Sequence, residues 1–148
     1  MISVILYGRN DSYGYNLHKR AALSLNSIGA MLTGPTDEII FVDYNTPNDF
    51  PTFPEAIQDT LTEQTKKLLR VIRVRPEIHK NYFAHKTHLK ALEPISRNIG
   101  MLRSNEKNKW ILSTNTDMIF LPRNHKTLTS MVSKLPLRHY AAPRFEVP

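Results

Sequence analysis

"ISVILYG" (Ile2–Gly8) decides how the rest of this 148-residue chain folds. Ile2, Val4 and Leu6 alternate with Ser3, Ile5 and Tyr7, so apolar side chains leave an extended backbone on both sides. A strand apolar on both faces needs cover above and below, and that is the position of a parallel strand in an α/β sheet. The residues that follow supply the cover in order.

After a polar loop from Gly8 to Gly14, Leu17, Ala21, Leu25, Ile28 and Leu32 recur at helical spacing and predict one amphipathic helix. "TGPTD" (Thr33–Asp37) ends it, and "EIIFVD" (Glu38–Asp43) reads as a second buried strand that closes on an acid. A Pro-rich loop, Tyr44–Phe53, comes next. Thr52 and Glu55 form a capping box with Pro54 in the first turn, and the helix is expected to run on through Ile57, Leu61 and Leu68. "RVIRVR" (Arg70–Arg75) alternates like a third strand and halts at Pro76. His79–His88 reads as loop, and a helix over Lys86–Arg103 should be kinked or divided by Pro94. Trp110–Leu112 is a fourth strand, and a helix near Lys126–Lys134 leads to a last extended piece.

Strands alternating with helices predict one α/β domain, an αβα sandwich with a mainly parallel sheet. Ligands of such sheets bind beyond the carboxyl ends of the strands, at a topological switch point. The polar residues ending the strands are Arg9, Asn10 and Asp11, then Asp43, then Asn115 and Asp117. On an extended backbone Asn115 and Asp117 would share a side. As oxygen donors they suit Mg²⁺ or Mn²⁺, while an Asx-turn at either residue is the structural alternative.

Composition narrows the field. The 41% hydrophobic and 22% charged residues are ordinary for a globular protein. No apolar run approaches the roughly 20 residues of a membrane span. The first strand starts at Ile2, which leaves no room for a signal peptide, and a cytoplasmic location is expected. Cysteine is absent, so disulfides, thiolate zinc sites and a cysteine nucleophile are excluded, and the sequon at Asn10 reads as accidental. Twenty Lys and Arg against 13 Asp and Glu give +7, which favours anionic partners. The dense cluster Thr65–Arg75 reads as a solvated face. There is no P-loop and no G-x-G-x-x-G, and His79, His85 and His88 lack the partners of a zinc site.

The stretch "SRNIGMLRSNEKNKWILSTNTDMIF" (Ser96–Phe120) resembles the corresponding segment of inverting GT-A glycosyltransferases of family 2. Arg97, Asn98, Gly100, Trp110, Ile111, Leu112, Asn115 and Asp117 match its pattern. "ISVILYGRND" (Ile2–Asp11) and "IIFVDYNT" (Ile39–Thr46) are similar to two earlier blocks of that family in the same order, so the resemblance covers residues 2–121. It implies a nucleoside-diphosphate sugar as donor and transfer of the sugar to an acceptor hydroxyl. Asp43 would accept hydrogen bonds from base or ribose, and Arg97 would lie near base or phosphates. Gly8, Arg9 and Asn10 would line the nucleotide. Asn115, Thr116 and Asp117 would stand in place of the D-x-D motif, with Asp117 and Asn115 on a divalent metal.

The chain departs from that pattern in two places. Asn115 replaces the first acid, and Tyr7-Gly8-Arg9 replaces Pro-Thr-Tyr. After Asp117 the chain has one further acid, Glu146, beside the nominal bases His125 and His139. The chain therefore reads as the nucleotide-binding half (1–148) of a GT-A domain incomplete at its C-terminus, with little turnover alone. The alternatives are a non-catalytic nucleotide-binding module and a basic nucleic-acid-binding domain, the latter resting on charge alone, so no nucleic-acid partner is expected.

Overall fold

A computed structural model describes residues 1–11, 15–122 and 124–145. Strand β1 (Ile2–Gly8) lies inside the sheet, and Val4, Ile5 and Leu6 have no exposed surface. It pairs in parallel with β2 (Glu38–Tyr44) from Ser3 opposite Glu38 to Gly8 opposite Asp43. On its other side β4 (Trp110–Ser113) pairs in parallel from Ile2 opposite Trp110 to Ile5 opposite Ser113. Strand β3 (Leu69–Val74) flanks β2, also parallel, so the order is β3-β2-β1-β4. The sheet grows outward from β1 to β3 and then resumes on the opposite side of β1. The switch point of this α/β sheet is thus the carboxyl end of the β1–β4 pair.

Helix α1 (Leu17–Met31) covers one face, packing Ala21, Leu25 and Ile28 in one core with Val4, Leu6, Ile39 and Phe41. Ile5, Ile40, Val42 and Tyr44 point the other way, and Ile95 and Ile99 of α5 (Glu93–Leu102) close over them. The αβα layering follows from the two apolar faces of β1. Gly100 makes the second layer possible, because a Cβ there would come within 2.5 Å of Ile5 Cγ2.

Several helix expectations need correction. The run from Thr52 to Leu68 is not one helix but α2 (Phe53–Ala56), a 3-10 turn (Gln58–Thr60) and α3 (Glu63–Leu68). The Glu55 carboxylate does accept from both the N–H and the hydroxyl of Thr52, each at 2.7 Å. The break comes from Thr62, whose extended backbone and hydroxyl cap α3 at the Thr65 N–H. Asn26 of α1 clamps it, donating to the Thr60 carbonyl and accepting from the Thr62 N–H.

Pro76 opens helix α4 (Pro76–Tyr82) rather than merely ending a strand, since a proline at the first helical turn loses no hydrogen bond. The start of the expected loop His79–His88 is therefore helical. His79 is buried, its Nδ1 3.1 Å from the Tyr44 hydroxyl, and not on the surface. The expected helix Lys86–Arg103 begins only at Glu93, because a helix starts at Pro94 more easily than it passes through. The last helix shortens to α6 (Leu128–Val132), capped by Thr127, and no strand follows it among the described residues.

Replacing Gly100 by Val should destabilise the fold by about 1–3 kcal/mol, since Ile5 sits in a strand with no room to retreat. Urea unfolding measures this, and an unchanged midpoint would show that α5 does not rest on β1 as described.

Candidate functional site

Beyond the carboxyl ends of β1 and β4 the chain gathers polar groups from both helical layers. Arg97 of α5 is the hub. Its guanidinium donates to Asn115 Oδ1 at 2.8 Å, to the Thr114 carbonyl at 3.4 Å and to the Ser113 hydroxyl. Its other edge meets the Glu93 carboxylate one turn back at 2.6 Å, and its carbon centre lies 5.5 Å from the centre of the Tyr7 ring. The Tyr7 hydroxyl donates to Glu93 at 3.0 Å, and the Thr116 hydroxyl donates to the Tyr7 carbonyl. Burial, with the neighbouring Glu93 carboxylate second, pushes the Tyr7 phenol up to about 12. Arg97's hydrogen bond holds Glu93 below the usual carboxylate range.

Asp117 faces the other layer and forms an ion pair with Arg20 of α1 at 2.6 Å. Arg144 and Phe145, from the C-terminal segment, line a cavity of about 260 Å³ together with Asn115, Asp117 and Met118.

At the β1 end, Arg9 pairs with Asp11 at 2.6 Å and donates to the Lys90 carbonyl. Asn10 is buried: its N–H donates to Thr46, its amide donates to the Pro51 carbonyl, and its oxygen lies 3.1 Å from His18 Nε2. Gly8 has a packing role, because a Cβ there would stand 2.8 Å from the Phe41 ring.

Asp43 ends β2 with no exposed surface. One carboxylate oxygen accepts from the Thr46 hydroxyl and the Phe53 N–H, both at 2.8 Å. The other oxygen is buried without a hydrogen-bond partner among the described residues. Burial raises the Asp43 pKa against the opposing pull of those two donors.

The three strand ends expected to form a site do converge on one edge. Asn115 and Asp117, however, do not share a side. β4 stops at Ser113, and the chain then turns, with the Met118 N–H reaching the Asn115 carbonyl. Period-two alternation therefore does not apply to them. Tyr7, Arg20, Glu93 and Arg144 escaped the sequence reading. The Glu93–Arg97 spacing of four carried a visible ion-pair signal, whereas Arg20 and Asp117 stand 97 positions apart and carried none.

A divalent cation of the expected kind requires several oxygen ligands, with carboxylates to balance its charge. Among the described residues no three His, Cys, Asp or Glu side chains cluster to hold one. The Asn115 and Asp117 oxygens are engaged by separate arginines. A cation on Asn115 Oδ1 would stand about 5 Å from the Arg97 charge, given a metal–oxygen distance of about 2.1 Å. At an effective dielectric of about 20 that repulsion is on the order of 5 kcal/mol. As folded, the expected Asn115–Asp117 pair does not fit a divalent metal.

No protein-family model matches the chain, and comparison with curated proteins returns no match. One solved structure similar in fold is an active-site mutant of LgtC, a glycosyltransferase, at 13% identity and a TM-score of 0.49. The alignment covers 87% of this chain and 41% of that one, so the chain spans about two-fifths of that protein's length.

Two measurements check the electrostatics. Asp43 has a folded pKa above its ordinary 3.8, so its contribution to stability is greatest below that value and declines as pH rises past it. Unfolding at several pH values should therefore show Asp43→Asn gaining on wild type as pH rises above 3.8. A constant difference would contradict the burial. Absorbance titration should find the Tyr7 phenol ionising near 12, with stability declining from pH 10.0 upward as the unfolded chain ionises first.

Proposed function

We propose that this chain is the nucleotide-binding part of a GT-A glycosyltransferase, holding a nucleoside-diphosphate sugar across the β1–β4 switch point. The observation that carries this reading is the Arg97 hub at the β1–β4 switch point, with Asp43, whose second oxygen is buried and unpartnered among the described residues, at the end of the neighbouring strand. A nucleotide presents N–H or O–H donors on its base and ribose, followed by a doubly charged diphosphate. The first matches an unpartnered carboxylate oxygen, and the second matches guanidinium forks. The blocks Ile2–Asp11, Ile39–Thr46 and Ser96–Phe120 that resemble family 2 form these same three strand ends.

In transfer, an acceptor hydroxyl attacks the anomeric carbon while negative charge grows on the departing diphosphate. Arg97 is held over Tyr7 and across the β4 end before any ligand arrives, with its nitrogens already bonded to Glu93, Ser113, Thr114 and Asn115, so it would act on that charge through the field of a fixed guanidinium. Asp43 fixes the other end of the donor. Its bound oxygen is pinned by two donors, and its second oxygen, buried as folded, would accept from a ligand once the covering loop gives way.

A non-catalytic nucleotide-binding module is the second reading, and one observation favours it. A general base must accept the acceptor's proton. Asp11, Glu93 and Asp117 at this edge are each paired with an arginine, and Glu146 lies outside the described residues. The nucleic-acid reading loses ground, because Arg70 pairs with Glu38 and Arg73 donates to the Pro47 and Phe50 carbonyls. No helix among the described residues is long and apolar enough to cross a membrane.

Calorimetric titration with UDP, GDP and dTDP should show binding of at least one. Asp43→Asn should weaken it by roughly tenfold or more, because two donors hold the Asn oxygen in place and turn its NH₂ toward the ligand. Silence from a folded sample with all three would contradict the reading.

A further inference from the structure

We propose that guanidinium groups stand where a divalent cation was expected: Arg20, Arg97 and Arg144 neutralise the diphosphate at the switch point, and binding there needs no metal. This rests on the nucleotide reading above and specifies what balances that ligand's charge.

The three groups come from three parts of the chain. Arg20 arrives from α1 and holds Asp117, Arg97 arrives from α5 and holds Asn115, and Arg144 of the C-terminal segment lines the cavity that Asn115 and Asp117 also line. Counted over the cavity wall and the groups bonded to it, three guanidiniums stand against two carboxylates, Asp117 and Glu93; Arg144 lines the cavity itself, while Arg20 and Arg97 hold its wall residues Asp117 and Asn115. Arg97 meets the Glu93 carboxylate through Nε and Nη2 and gives its remaining donors to neutral oxygens of Ser113, Thr114 and Asn115, so of the three arginines it is Arg144 whose charge is paired with no carboxylate among the described residues. The Arg20–Asp117 pair is 46% and 35% exposed, and water weakens it. A phosphate can therefore take over the Arg20 fork in a bidentate contact. A cation entering the same opening would first have to strip Arg20 from Asp117 and then remain beside two further guanidiniums. The constellation suits an anion.

The test is calorimetric titration of the whole chain with UDP, GDP and dTDP, once in EDTA and once in Mn²⁺. Arg20 and Arg144 are half-exposed or exposed, so their substitution spares the core. The expected result is the same affinity in both buffers to within about twofold, as for any ligand whose charge protein groups already balance. Arg20→Gln with Arg144→Gln should weaken binding in EDTA by roughly tenfold or more, as the loss of charge-assisted hydrogen bonds requires. Asp117→Asn should leave affinity unchanged or improve it. Binding that appears only in Mn²⁺, disappears in Asp117→Asn and strengthens when Arg20→Gln frees that carboxylate would overturn the inference while leaving the nucleotide reading intact. Silence in both buffers from a folded sample overturns both.

Discussion

Everything in this structure follows from the lack of a polar face on β1. Ile2, Val4 and Leu6 demand cover on one side and Ile5 on the other, so the strand can only sit inside a sheet between two helical layers. Parallel neighbours then require crossover helices, and those helices bring side chains to the carboxyl edge from opposite directions. Arg20 reaches the β4 end from one layer and Arg97 from the other. The candidate site is a product of the layering. Gly8 and Gly100, which sequence similarity alone would assign to ligand contact or to motif, are small because Phe41 and Ile5 occupy the space.

The polar interruption after β4 acquires its character from this placement. Asn115, Thr116 and Asp117 do not form a free acidic edge. Each is tied to a separate element: α5 through Arg97, β1 through the Tyr7 carbonyl, and α1 through Arg20. The segment therefore fastens both layers to the centre of the sheet, beside the cavity that Arg144 lines. Asp43 works by a different device. Burial makes its charge costly, two donors offset part of that cost, and the remaining oxygen is buried with no hydrogen-bond partner among the described residues.

How much of this could be read from residues alone depends on how local the governing interaction is. The four strands and α1 were legible, because burial on one or two faces imprints a period on consecutive residues. Asp43 was legible too, as an acid closing an apolar run. The break between α2 and α3 was masked, since Ile57, Leu61 and Leu68 keep helical spacing across the Thr62 cap that interrupts them. Pro76 reads as a stop and Pro94 as a kink or division, yet both act as helix starts, a distinction made by the chain that precedes them. The Arg20–Asp117 pair joins distant residues through the fold and has no local signature. Without that pair, N-x-D resembled a metal motif. With it, the same residues look like part of an arginine-lined anion site.

The most direct measurement is a two-dimensional ¹H–¹⁵N NMR titration of the chain with UDP, GDP and dTDP, following every backbone amide. If a nucleoside diphosphate lies across the switch point, the shifts of at least one titration will concentrate at residues 8–11, 43–46 and 113–118. Shifts confined to the basic β3 edge around Arg70–Arg75, or no shifts at all, would contradict a nucleotide site at the β1–β4 edge.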